Sequence, residues 1–399
     1  MHAPQVALLL ETSTEYGRGL LRGILRYSRL HGPWTLVMAP GHLDQMSSLE
    51  RALGRGWKGQ GMIGRVRPDD LEGVARTTKV PLVASSLSEA LPAVAGERYG
   101  EIRTDSAQIA AMGLSHLREA GFRRLAYVGF RDCQWALARE QAFVRLAREA
   151  GLECAVHRTP LANWMRRPQW LQSWQREQPL LVRWLVQLTQ VTPRQPLGLL
   201  ACNDVCGREV LAACAAAGLR VPDDVAVIGV DNDEMICELA SPPLSSLAMG
   251  VEAAGYAAAS LLDRMMRGQP AAERTVWVRP NRVVVRTSSD VIAQEDELVA
   301  AALRLIRERA REPIGVEDVT RGLQVSRRTL ERRFQATVGR TVLEEITRCH
   351  IQRAKQLLQE TDLPAYRIAA AAGFGSQKAF QRAFEREAGM TPGQYRTQG

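Results

Sequence analysis

Seven short apolar runs alternate with amphipathic stretches through the first two-thirds of the chain, and this alternation restricts the fold more than any other feature. The runs are QVALLLE (5–11), WTLVMAP (34–40), GMIGRV (61–66), PLVASS (81–86), LAYVGF (125–130), LGLLACND (197–204) and VAVIGVD (225–231). Between them, GLLRGILRYSRLHG (19–32) and AQIAAMGLSHLREAG (107–121) place apolar residues at helical spacing and close on a glycine. Runs that are apolar on both faces and joined by helices predict parallel sheets covered on both sides. A chain of 399 residues is too long for one such core, so two or three folding units are expected.

In parallel sheets ligands gather at the carboxyl ends of strands, and there the sequence turns polar. Glu11 to Tyr16 follow the first run, Asp105 closes EIRTD, Asn203 and Asp204 close LGLLACND, and Asp231 closes VAVIGVD. One such residue means little, because Asp and Asn commonly cap helices. Several in one unit, with Trp135 and Arg139 in the intervening QWALARE, fit a polyol-binding cleft. Carboxylates and amides take hydroxyl hydrogen bonds, a guanidinium donates two, and an indole covers the apolar side of a sugar ring. The candidate ligand residues are Glu11, Tyr16, Asp105, Trp135, Arg139, Asn203, Asp204 and Asp231, with helix capping as the competing role for the acidic and amide members.

Other chemistries find less support. Apolar residues at 46% and charged residues at 24% fit a globular chain. The run at the start has no Lys or Arg ahead of it and is far too short for a signal or membrane segment, so a cytoplasmic protein with no membrane partner is expected. Seven scattered cysteines without a C-x-x-C pair predict neither a disulfide framework nor a metal site. No G-x-S-x-G elbow, Walker loop or dinucleotide fingerprint occurs, and the six histidines are isolated. A sugar-modifying enzyme is therefore the weaker alternative, and no cofactor or catalytic residue is expected. Four tryptophans at irregular spacing in 163–188 suit the packing of a helix pair.

After about residue 286 the character changes. RTSSDVIAQEDE reads as a hinge, and the remainder of the chain reads as helical throughout. The expected division is a sensing domain at 1–285, a linker at 286–293 and a DNA-binding domain at 294–399. That last part holds 18 Lys and Arg against 14 Asp and Glu, so it is no basic arm. Within it, residues 321–340 carry Arg321, Arg327, Arg328, Arg332, Arg333 and Arg340 against Glu331 alone, a local footprint for phosphates. The tail also repeats itself. VEDVTRGLQVSRRTLERRFQATVGRT aligns with AYRIAAAAGFGSQKAFQRAFEREAGMT so that Ser326 matches Ser376, Leu330 matches Phe380, Phe334 matches Phe384, and Gly339 matches Gly389. Each copy reads as a short helix, a turn, a capping serine and a second helix with two apolar residues inward. Residues 342–361 between them are periodic enough for one long connecting helix.

This doubled pattern, with RAKQLL, IAAAAGF and FQRAFEREAGMTPGQYR, resembles the DNA-binding domain of the AraC/XylS family over about the last hundred residues. The resemblance implies two recognition helices entering successive major grooves of double-stranded operator DNA, their separation set by the connecting helix. Carried over, Arg327, Arg328, Glu331 and Arg332 face bases or phosphates in the first copy, and Gln377, Lys378, Gln381 and Arg382 do so in the second. Arginine can fork onto guanine, Gln can pair with adenine, and Glu can accept from cytosine. TDSAQIAAMGLSHLREAGFRRLAYVGF, ACNDVCGREVLAACAAAGLRVPDDVAVIGVDNDE and PPLSSLAMGVEAAGYAAASLL resemble the sugar-sensing domain of LacI/GalR-type regulators, itself similar to periplasmic sugar-binding proteins. The loop FRDCQW departs from that pattern. Together the resemblances imply an α/β, two-lobed, periplasmic-binding-protein-like sensor followed by an all-α tandem helix-turn-helix domain. They further imply a homodimer that activates a catabolic operon through RNA polymerase in response to a pentose such as D-xylose. A nucleoside or another non-sugar metabolite is the alternative effector.

Overall fold

The computed structural model describes residues 3–38, 58–65, 80–85, 98–159, 170–191, 195–270, 273–290, 296–361 and 363–398. They fall into two compact units, Met1–Val291 and Ile292–Gly399.

The first unit begins with β1 (Gln5–Leu9), α1 (Glu15–His31), β2 (Thr35–Met38), β3 (Gly61–Arg65), β4 (Leu82–Ser85) and β5 (Tyr99–Thr104). There follow α2 (Ser106–Glu119), β6 (Arg124–Phe130), α3 (Gln134–Glu149), β7 (Glu153–Thr159), α4 (Trp170–Val191) and β8 (Leu197–Ala201). The unit closes with α5 (Asp204–Ala216), β9 (Val225–Asp231), α6 (Glu234–Leu239), β10 (Ser245–Met249), α7 (Val251–Met266), β11 (Thr275–Val278) and β12 (Pro280–Val284). Two six-stranded sheets result, ordered β11-β5-β4-β3-β1-β2 and β12-β10-β9-β8-β6-β7. Among the described residues every pairing is parallel except β10 with β12.

Each of the seven apolar runs coincides with one of these strands to within a few residues at its ends; residues 39–40, 66 and 86 lie outside the described residues. Strand β8, and β9 up to Val230, are apolar because helices cover both their faces, and all five residues of β8 are buried. The strands that an apolar count misses have other causes. β5 alternates half-buried with buried residues, β7 is a half-exposed edge, and β10 opens with two serines whose hydroxyls are hydrogen-bonded inside the core. Helices α1 and α7 lie against each other unusually closely. A Cβ on Gly23 would collide with the Glu252 carbonyl, and one on Gly255 with that of Leu20. Of the Trp-rich stretch, residues 163–169 lie outside the described residues, whereas Trp184 on α4 stacks on His157 of β7, with ring centroids 5.1 Å apart.

The second unit is helical throughout its described residues: α8 (Glu297–Glu308), α9 (Val316–Gly322), α10 (Arg327–Val338), α11 (Val342–Glu360), α12 (Ala365–Ala371), α13 (Gln377–Ala388) and α14 (Pro392–Gln398). Leu330 and Phe334 are fully buried in one cluster, Phe380 and Phe384 in another. Connecting helix α11 supplies Val342, Ile346 and Cys349 to the first and Ile351, Ala354 and Leu358 to the second, so one rigid rod belongs to both cores. The repeat is also a repeat of caps. The Ser326 and Ser376 hydroxyls each accept a backbone N–H three residues on, and Gly339 and Gly389 end their helices in the left-handed region. It extends one step further than the sequence alignment, since Thr341 with Glu344 and Thr391 with Gln394 form equivalent reciprocal caps.

One boundary differs from expectation. Residues 286–289, expected from their composition to be linker, are packed into the first unit: Thr287–Ser289 form a 3-10 turn in which Ser288 and Ser289 are fully buried. The polar composition that suggests a hinge serves instead to hydrogen-bond a buried segment.

Candidate ligand cleft and nucleic-acid interface

In the first unit the chain passes from one sheet to the other after β5, after β10 and after β11. The three crossings are stitched side by side. Asp105 N–H donates to the Val278 carbonyl (2.9 Å), Gly250 N–H donates to that of Arg279 (2.8 Å), and the Arg279 guanidinium lies 3.8 Å from the Asp105 carboxylate. Crossings of this kind join two lobes with a cleft at the strand ends.

Around that cleft the structure groups Tyr16, Arg139 and Asp231. Arg139 is buried on α3, its Nη1 donating to the Cys202 carbonyl and its guanidinium lying 5.0 Å from the centre of the Trp135 ring. Phe130 braces Trp135 edge-on. The Tyr16 hydroxyl is 3.5 Å from Thr104 Oγ1, and burial raises its pKa above the ordinary phenol value, with Asp231 and Arg139 both within electrostatic reach. Asp231 ends β9 with φ of 106°, a left-handed conformation rare for a side chain of its kind. Burial pushes its carboxyl up to about 6, while Arg139 pulls the other way. Two buried atoms in this group have no hydrogen-bond partner: Arg139 Nε and Asp231 Oδ1. A buried donor and a buried acceptor within electrostatic reach of each other, both unsatisfied, are costly unless a polar ligand completes them.

Other candidates are engaged elsewhere. Asp105 caps α2 by accepting from Gln108 N–H (3.0 Å), and Asn203 caps α5 by accepting from Cys206 N–H (2.9 Å). Asp204 is buried with both carboxylate oxygens occupied, one by the Ser246 hydroxyl and one by Asp233 N–H (2.7 Å). For these three the capping and structural roles account for the contacts seen. Glu11 accepts from Ser13 Oγ (2.5 Å) and lies 3.9 Å from the Arg65 guanidinium. Sequence reasoning passed over Ser85 and Thr104 beside the Tyr16 hydroxyl, and over Ser106, whose buried Oγ has no partner. It also passed over Asp233, which accepts from Glu15 N–H (3.0 Å) and Arg18 Nη2 (2.7 Å) and so ties α1 to the end of β9. Small hydroxyls carry no periodic signal; only the fold brings them together.

In the second unit the six arginines of 321–340 separate into two groups. Arg321 pairs with Asp318, Arg327 with Glu317, Arg333 with Asp296 and Arg340 with Glu345. Arg328 and Arg332 are exposed on α10 and have no carboxylate at ion-pair distance among the described residues. Their equivalents fifty residues on are Lys378 and Arg382, likewise exposed on α13. Each of the two helices thus offers two uncompensated cations at matching positions, while Gln377 and Gln381 stand exposed beside the second pair. Glu331 Oε2 accepts from Val342 N–H (3.3 Å), which links α10 to the connecting helix.

Residues 114–289 match the periplasmic binding protein-like domain and residues 319–398 a helix-turn-helix domain. The xylose operon regulatory protein of Haemophilus influenzae is 33% identical over 298 residues, 74% of either chain. This chain belongs to the family of xylose operon regulatory proteins. Its likeness to the Escherichia coli (strain K12) member of that family, at 29% identity, spans 98% of this chain and 96% of the relative. Among solved structures, a xylose-binding transcription activator superposes with a TM-score of 0.61 at 28% identity, covering 100% of this chain and 98% of that one. The chain therefore joins a LacI-like sensor to an AraC-type DNA-binding domain, as members of the xylose operon regulatory family do. It is a DNA-binding transcription regulator rather than an enzyme. Among its described residues no helix is long and apolar enough to cross a membrane.

Proposed function

We propose that this regulator acts in the cytoplasm as a homodimer that binds D-xylose between its lobes and activates a pentose catabolic operon through RNA polymerase. The observation that carries the sugar reading is the unsatisfied pair Arg139 Nε and Asp231 Oδ1 beside Tyr16 and the Trp135 ring. A polyol supplies both a donor and an acceptor from each hydroxyl, and its apolar face suits an indole. The named relatives favour xylose among polyols. Closure of the lobes on the sugar favours one arrangement of the paired DNA domains, so the sugar changes DNA affinity by its own preference for that arrangement. On the DNA side, Arg328, Arg332, Lys378 and Arg382 hold phosphates or bases, with Gln377 and Gln381 in reach of adenine.

A thermal-shift panel tests the effector. Xylose should raise the melting temperature progressively with concentration, as binding to the folded state requires, and arabinose, ribose and glucose should do so less. A shift with a nucleoside and none with any sugar would move the effector to another chemical class.

A further inference from the structure

The cleft and the segment by which the chain leaves the sensor are joined through one polar network. Asp231 is followed by Asn232, also left-handed at φ of 52°. The Asn232 side-chain oxygen accepts from Arg286 Nη1 (2.9 Å), and its backbone N–H donates to Ser246 Oγ (3.0 Å). Arg286 lies just past the end of β12, and its side chain is only 12% exposed. Its guanidinium also donates to the Leu244 carbonyl (3.1 Å) and to Glu238 (2.7 Å), while its backbone N–H and C=O both bond the Ser245 hydroxyl. Just beyond, Ser288 Oγ donates to the Val227 carbonyl (2.6 Å) and accepts from Ser245 N–H (2.8 Å), and Ser289 Oγ meets His116 Nε2 (2.9 Å). The exit segment is therefore fixed to β9 and β10, and the group that grips the 231–232 turn is on that segment.

We propose that the Asn232–Arg286 contact is the positioning element that couples occupancy of the cleft to the sensor's exit segment. The 231–232 turn is a strained, two-residue element with a cleft carboxylate on one residue and the Arg286 acceptor on the next. A ligand that satisfies Asp231 Oδ1 favours one conformation of the turn, and Arg286 carries that preference into residues 286–289. Coupling of this kind is physical only if one element is biased from both ends; here both ends are adjacent residues of a single turn.

The inference rests on the sugar reading, and the test separates the two. In the full-length protein, xylose affinity by calorimetry and operator affinity with and without saturating xylose are measured for wild type, Asn232→Gly, Asn232→Asp and Arg286→Lys. Glycine accepts the left-handed backbone but lacks the acceptor, whereas aspartate keeps an acceptor oxygen. Typical couplings span about 5- to 150-fold in affinity. Asn232→Gly and Arg286→Lys should bring the xylose-dependent ratio of operator affinities down by fivefold or more, or to unity where the wild-type ratio is smaller. Xylose affinity should stay within about twofold, and Asn232→Asp should retain the ratio. A wild-type protein that binds no xylose refutes the sugar reading itself, and one that binds xylose with no change in operator affinity overturns the coupling role. A responsive wild type with an equally responsive Asn232→Gly overturns the coupling role, as does a loss of xylose binding in that variant. Thermal melts of the same samples separate misfolding from uncoupling, and Arg286→Lys preserves the test if Asn232→Gly is unstable.

Discussion

Sugar affinity should fall on acidification, because the cleft carboxylate titrates near neutrality. Burial raises the Asp231 carboxyl from its usual 3.8 to about 6. Between those values the folded chain holds the proton more tightly than the unfolded one. This group therefore stabilises the unliganded fold fully below pH 3.8 and loses that contribution as pH rises through 6. A sugar hydroxyl donating to Asp231 Oδ1 reverses the preference, since it needs the ionised acceptor. At pH 5 only about a tenth of the sites are ionised, so Kd should be about tenfold weaker than at pH 8, a difference of about 1.4 kcal/mol. Binding near pH 6 should also release on the order of half a proton per site. Calorimetric titration of xylose from pH 5 to 8, repeated in two buffers of different ionisation enthalpy, reads both quantities. Asp231→Asn should bind more weakly and with a flat pH profile. A wild-type Kd constant across this range, with no proton release, refutes the placement of Asp231 at the ligand.

Three other outcomes are expected from the contacts. Arg332→Ala and Arg382→Ala should each weaken operator binding across all sequences and lower the salt-dependence slope by about one, whereas Arg328→Ala, if it forks onto a base, should cost about 1–3 kcal/mol at a single base pair; unchanged salt slopes would place the phosphate contacts elsewhere. Glu331→Ala should lower the melting temperature of the second unit by loss of its bond to Val342 N–H, about 0.5–1.5 kcal/mol, and leave base preference intact; a changed preference at one base pair would give it a reading role. Gly373→Ala should destabilise by more than about 1 kcal/mol, because φ there is +81° and the new Cβ would lie 2.7 Å from the Glu312 carbonyl and 2.6 Å from His350 Nε2; an unchanged denaturation midpoint would contradict this.

The folds were legible because their signals are periodic or repeated. Continuous apolar runs mark strands buried on both faces, and the two-copy tail reveals its own register through Ser326 and Ser376. The strands that escaped lack such a signal. β10 hides two serines in the core, and their burial makes sense only beside Asp204 and Arg286, which are 41 or more residues away in sequence. The same blindness affects the cleft. Asp105, Asn203, Asp204 and Asp231 look alike as acidic or amide strand ends, yet each of the first three has an oxygen that accepts from a backbone N–H, and Asp231 alone of the four retains a buried unsatisfied oxygen.

Charge behaves the same way at the DNA face. Six arginines in twenty residues form a dense basic footprint in the sequence, but four of them are paired with carboxylates, two of these near in sequence and two farther away. Arg333 is held by Asp296, 37 residues earlier, and Arg327 by Glu317, ten residues earlier. Pairing leaves two uncompensated cations on α10, and the helix repeated fifty residues later, though far less basic in sequence, also offers two at the same positions. Two helices that look electrostatically unequal thus become equivalent after folding. If the two helices read successive major grooves, as proposed, such equivalence is what they need, since each must meet the same spacing of phosphates along the duplex.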